Sequence, residues 1–321
     1  MTFGCSHKER PVISFYYWKT VFRLSDDEKS ALSENHVRKL YIRYFDVNIN
    51  ADSGQPFPES AIRFTQHPAF DVVPVIYIRN EVFLDKRTDV SVLVKKTLDF
   101  VGQINSKNNI DCSEIQIDCD WSLASRDNYL KFVKIFKKLS RVRLSATIRL
   151  HQVKYFDITK IPDVDKGVLM YYNMGKIAPD SFNSIYDQKI AAQYIKSLSK
   201  YPLALNVALP VYSWAIQIRN RRVVGLRNKF DIGDFQADTN FVSLADGRIK
   251  VKNSVFKSGA FYREGDILKP ETIKAAQLLE MADDLSENQT SPPKEIIFYD
   301  LDELNLRKYD KTIFQEVADR F

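Results

Sequence analysis

Two aspartates spaced two apart, Asp118 and Asp120, are the strongest chemical feature of this 321-residue chain. They sit in the apolar run 114–121, which reads as a strand, so both fall on one face of it. Carboxylates aimed into a shared site are costly unless water, a metal or a partner offsets them. Two so close also push one proton affinity upward, which is what acid/base chemistry requires. A plainer role is open as well: one aspartate could brace the structure as a buried hydrogen-bond acceptor.

Other candidates cluster at the ends of further apolar runs. Asp46 closes one, and Asp300 and Asp302 follow the last; Glu264 lies in an irregular region. For Asp300 and Asp302 a turn or cap before the final helix is the preferred reading, with Asp300 kept as a ligand-binding candidate. Arg149 and His151 end another run and share a face by alternation. They could clasp an anion or a hydroxyl, or Arg149 could neutralise Asp118 or Asp120. Aromatic residues gather at the same ends: Tyr16, Tyr17 and Trp18; Tyr44; Trp121; Tyr171 and Tyr172; Tyr212 and Trp214. Sugar rings pack their C–H faces on such side chains. Pleat geometry sends about half of them into the core, Trp121 among them. Tyr172 and Trp214 are the preferred stacking residues, with Trp18 and Asn173 beside them.

Several chemistries find no support. The three cysteines, Cys5, Cys112 and Cys119, form no CxxC, and the four histidines form no HExxH. No metal or cofactor is expected. The net charge of +6 is spread in pairs such as Lys95-Lys96 and Arg221-Arg222, not in a stripe, so nucleic acid is not an expected partner. No run of ~20 apolar residues spans a membrane.

The elements that must position these residues alternate between short apolar runs and amphipathic helical patterns. Strands are expected at 12–18, 40–46, 72–78, 114–121, 143–150, 167–173, 204–211 and 295–300. A capping box at Ser25 and Glu28 opens a helix to about residue 39. Helical spacing recurs at Val90, Val94, Leu98 and Val101, over 126–139 and over 187–198. Residues 48–66 and 284–293 read as loops. Short strands at 221–226, 254–262 and 266–268 form a β-rich insertion at about 215–269, and Pro270 starts the helix after it. The expectation is one (β/α)₈ barrel over residues 12–321, with that small insertion between strand seven and helix seven. Residues 1–11 form an N-terminal tether. In such a barrel the strand carboxyl ends carry the site.

Residues 115–122 resemble the strand-four signature of glycoside hydrolase family 18, the chitinase-like barrels, which reads Asp-Gly-x-Asp-x-Asp-x-Glu. Asp118 and Asp120 fall on its second and third acids, and Met170-Tyr-Tyr-Asn173 resembles the family's Met-x-Tyr-Asp/Asn. The chain also resembles uncharacterised barrel proteins of the bacterial envelope. The resemblance implies that Asp120 orients an acetamido group, that Tyr172 hydrogen-bonds the sugar and that Asp118 tunes Asp120. It also exposes a departure. Ser122 stands where the family has its proton-donating Glu, and a serine hydroxyl is no general acid near neutral pH.

Two functions follow as expectations: a glycan-active barrel that hydrolyses an amino-sugar-containing polysaccharide with an unassigned acid, or a glycan-binding lipoprotein without turnover. A purely structural protein would lack an open cleft at the strand ends. The opening Met1-Thr-Phe-Gly-Cys5-Ser6 resembles the end of a lipoprotein signal with its charged and apolar parts missing. On that reading Cys5 carries a lipid, which is the expected membrane contact, and the protein sits in the bacterial envelope.

Overall fold

The computed structural model describes residues 10–321; Cys5 and most of the expected tether lie outside them. Eight parallel strands form the centre: β1 (Val12–Tyr17), β2 (Lys39–Ile49), β3 (Asp71–Ile78), β4 (Glu114–Asp118), β5 (Arg143–Arg149), β6 (Lys166–Met170), β7 (Leu205–Pro210) and β8 (Glu295–Tyr299). Each pairs with its neighbour in sequence, and β1 pairs with both β2 and β8, which closes the ring. This is the (β/α)₈ barrel expected from the alternation. The strands are rich in Val, Ile, Tyr and Phe, which fit a pleated, doubly covered surface. The helices bury one face each. Arg126–Leu139 turns Tyr129, Phe132, Val133 and Phe136 inward, and Val90–Asn108 buries Val94 and Val101 against the sheet. The Ser25 and Glu28 capping box is present, but its helix stops at Glu34.

Several boundaries differ from the sequence expectation. The segment expected as loop over 48–66 contains a strand, Pro56–Glu59, which pairs antiparallel with the extended end of β2 from Asp46 to Ile49. Gly54, at φ +67°, makes the turn between them, a backbone region where glycine carries no steric cost. The expected helix over 187–198 is a short helix, Gln188–Ala191, followed by a tight turn at Ile195–Lys200. The helix expected to start at Pro270 starts at Ala275 and runs to Asn288, into the expected loop. Pro270 lies instead in a strand, Ile267–Thr272. It pairs on one side with Ala215, while the strand on the other side reaches only to Leu268. A proline is tolerated at such a locally free edge because no partner needs its missing N–H.

That strand belongs to a five-stranded sheet between β7 and the helix Ala275–Asn288. The sheet is organised by Ser213–Arg219, which pairs with Arg222–Asn228 on one side and Ile267–Thr272 on the other. It has its own small core of Phe230, Phe235, Phe241 and Tyr262.

At the amino ends of the strands the barrel is floored by ion pairs. Lys166 contacts Glu114 at 2.9 Å and Glu295 at 3.4 Å, and Lys39 contacts Glu295 at 3.2 Å. The recess there, about 590 Å³, is larger than the one at the other end. Its buried acids are matched by cations, as expected of the stabilising face of such a barrel.

Candidate functional site

The carboxyl ends of the strands open on a cleft of about 430 Å³. The structure brings Asp46, Asp118, Asp120, Arg149 and Asp300 together on its wall. Trp18, Tyr172, Asn173 and Trp214 line it too. No metal-holding group of three or more His, Cys, Asp or Glu occurs among the described residues. No helix there is long and apolar enough to cross a membrane.

Asp118 ends β4 and is 5% exposed. Thr147 of β5 donates to it at 2.7 Å. Burial lifts its carboxyl to about 6; Arg149 pulls the other way and Asp120 adds to the rise. Asp120 lies just past the strand, exposed, in a close ion pair with the Arg149 guanidinium. Arg149 therefore takes the neutralising role foreseen for it. Asp46 on β2 accepts from Arg43 Nε at 2.6 Å and Nη2 at 2.5 Å. That same guanidinium lies 5.8 Å from the Trp18 ring centre.

Asp300 departs from its preferred role. The cap of the helix Glu303–Leu306 is Asp302, which accepts from the Leu304 amide at 3.1 Å. Asp300 faces the cleft instead, 7% exposed, with the Asn305 side-chain amide donating to it at 2.7 Å. Burial and then Asp302 raise its carboxyl to about 6, against the pull of Lys229 and Lys19. Both lysines contact Asp302, at 2.6 and 3.2 Å.

Tyr172 is buried under the cleft floor, packed on Tyr212 at 5.9 Å and Tyr299 at 5.5 Å between ring centres. Asn173 adopts φ 54° and accepts from the Tyr212 hydroxyl at 2.5 Å. Trp214 lies on the strand Ser213–Arg219 of the insertion sheet, and its indole N–H donates to Glu271 at 2.7 Å.

One expectation from strand alternation fails. His151 does not share a strand face with Arg149, because β5 ends there and a short helix, Leu150–Lys154, begins. It lines a side recess of about 280 Å³ that shares Asp120, Arg149, Tyr172 and Asn173 with the cleft. Burial and Arg149 hold its imidazole below the usual range. Ser122 is off the cleft wall altogether. β4 ends at Asp118, and Trp121 turns out to stack on Tyr129 at 5.2 Å. The Ser122 amide then donates to Ser125 Oγ at 2.9 Å, at the start of the next helix. Tyr44 and Tyr171 also point outward, with hydroxyls bonded to Asn105 and Asp284. Glu264 lies in a turn away from the cleft.

Tyr77, Tyr299, Asn228, Lys229 and Asn305 also line the cleft and were not singled out from sequence; Tyr212, one of the aromatic residues noted there, lines it too. Tyr77 and Tyr299 stand at strand ends and carried the same aromatic signal as Tyr172. Asn228 and Lys229 come from the insertion, where no sequence pattern marks which side faces the mouth.

No family model and no curated protein matches the sequence. Solved structures share the fold. The spore cortex-lytic enzyme of Bacillus megaterium superposes with a TM-score of 0.58 at 11% identity, over 98% of this chain and 75% of that one. A chitinase from Bacteroides thetaiotaomicron gives 0.56 at 11%, over 97% and 96%. A glycoside hydrolase family 18 chitinase from Cycas revoluta, in complex with (GlcNAc)3, gives 0.54 at 13%, over 96% and 99%. At these identities the likeness carries the fold, and the distant resemblance expected from residues 115–122 and 170–173 holds at that level.

Proposed function

We propose that the cleft binds a stretch of amino-sugar polysaccharide. The observation that carries this reading is the pairing, in one open mouth, of aromatic walls with hydrogen-bonding carboxylates. Trp18, Trp214 and Tyr299 offer faces for sugar rings. Asp120 and Asn173 offer acceptors at the boundary of the two connected recesses. In this reading Asp120 orients the acetamido group, Tyr172 hydrogen-bonds the ring and Asp118 tunes Asp120. Arg149 and Asp46 hold further hydroxyls, and His151 borders the side recess. The connected recesses suit several residues of a chain better than one monosaccharide. The fold shared with chitinases and cortex-lytic enzymes supports the same ligand class.

Placement in the bacterial envelope, through a lipid on Cys5, belongs to this reading and rests on the N-terminal sequence alone. An in-frame charged and apolar leader upstream of Met1 supports it, and its absence overturns it.

Calorimetric titration with N-acetylglucosamine hexamer and with soluble peptidoglycan strands tests the ligand. Saturable binding that Asp120→Ala weakens is expected. Absence of binding to both overturns the reading.

A further inference from the structure

Four carboxylates line the mouth, and the structure treats them differently. Asp46 is held by two contacts from Arg43, and Asp120 by Arg149. Asp118 accepts a hydroxyl hydrogen bond from Thr147, and its strongest charged neighbour is the Arg149 cation. Asp300 forms no ion pair among the described residues; its side-chain partner is the uncharged Asn305 amide.

We propose, resting on the glycan reading above, that Asp300 is the proton donor of this mouth and Asp118 the carboxylate that activates water. The charges around Asp300 favour a held proton. Its strongest charged neighbour is an anion, Asp302, on its own loop. Lys229 from the insertion and Lys19 beyond β1 both reach Asp302 instead. Lys308 reaches Ser213 and Asn305. The phenols of Tyr212 and Tyr299 complete the surroundings. With its carboxyl at about 6, Asp300 keeps a protonated fraction close to neutral pH.

The placement also fits. In the ring of eight strands β4 and β8 are four apart, so Asp118 and Asp300 come from opposite sides. Inverting hydrolysis asks for carboxyls ~6.5–9.5 Å apart with a water beside the sugar, a gap that opposite sides of a barrel mouth can supply. Asp300 gives its proton to the glycosidic oxygen as the bond to the anomeric carbon breaks. Asp118 takes a proton from water as that oxygen bonds to the anomeric carbon from the other face. Water is consumed, a hemiacetal of inverted configuration and an alcohol leave, and solvent returns each carboxyl to its starting state. Ser122 is not needed.

The test compares wild type with Asp300→Asn and Asp300→Glu on N-acetylglucosamine hexamer and soluble peptidoglycan strands. Titration calorimetry reads binding and product chromatography reads hydrolysis. Asp300→Asn should keep binding and lose at least about 100-fold in hydrolysis. It should still cleave a dinitrophenyl chitobioside, whose leaving group departs without a proton, and Asp300→Glu should recover part of the hexamer rate. Wild-type hydrolysis should also decline on both sides of pH about 6, as Asp118 takes up a proton below it and Asp300 loses one above it. Binding without wild-type hydrolysis, or hydrolysis that survives Asp300→Asn, overturns this assignment and leaves the glycan reading intact. Absence of binding to either probe removes both.

Discussion

The Trp214 indole N–H donates to the Glu271 carboxylate at 2.7 Å, and the same carboxylate oxygen accepts the Ser184 amide at 3.1 Å and the Ser184 hydroxyl. Its other oxygen pairs with Lys269 at 2.8 Å, and Lys269 donates to the Phe182 carbonyl at 2.6 Å. One buried acid therefore ties a cleft wall to the loop that follows β6 and to the insertion sheet.

Removing it should be costly. Glu271→Ala leaves three donors unanswered and Lys269 with Asp180 as its remaining acid, and should lower stability by about 3 kcal/mol. Urea unfolding measures this. Tryptophan emission should also move to the red as Trp214 loses its fixed, dry seat. A loss under about 1 kcal/mol would show that the network is replaceable by water.

Asp300 should cost the fold stability at neutral pH. Its carboxyl sits at about 6 when folded, against ~3.9 in an unfolded chain. The folded protein holds that proton more tightly, so this contribution is complete below pH ~4 and is lost as the pH rises through about 6. Asp300→Asn should thus raise stability at pH 7.5 by roughly 2–3 kcal/mol and change little at pH 4. Thermal unfolding at the two pH values checks the sign. An equal effect at both would point to packing instead.

Restoring a glutamate at the family position should not restore an acid. Ser122 is drawn into the start of the helix by Ser125 and Asn80, off the cleft wall. Ser122→Glu is expected to leave hexamer hydrolysis within about twofold of wild type. It should also lower stability by about 1 kcal/mol by disturbing that hydrogen-bonded turn. A large gain in hydrolysis would contradict the placement of this residue.

The Arg149 guanidinium sits between the two recesses, paired with Asp120. Arg149→Met should leave Asp120 free to reorient and remove the cation nearest Asp118. Binding of the hexamer should weaken by about 1.5–3 kcal/mol, the scale of a charged hydrogen bond, as read by calorimetry. The Asp118 carboxyl should titrate higher in this variant, which carbon-detected NMR of the labelled carboxyls can follow.

Much of this was legible in the sequence, for physical reasons. Apolar runs of strand length alternating with 3.6-residue periodicity can bury their surface in few ways, and a closed parallel barrel is the one realised. That architecture sends strand ends to a common mouth, so Asp46, Asp118 and Tyr172 could be named from position alone. The pleat rule held while the strands lasted, and Trp121, past the end of β4, packs outward on Tyr129 as expected.

The tertiary structure decided what happens where strands stop. Alternation says nothing beyond the last ladder hydrogen bond, so His151 left the face assigned to it and Ser122 came to lie off the cleft wall. The split between Asp300 and Asp302 depends on which carboxylate meets a helix amide and two lysines, one of them from the insertion. Lys229 and Asn228 reach the mouth only because Arg222–Asn228 pairs back along Ser213–Arg219, setting Asn228 beside Trp214. The proton affinity of each acid was set last, by burial and neighbours remote in sequence. The residue types fixed which groups could do chemistry, and the packing around them set the charge that each one holds.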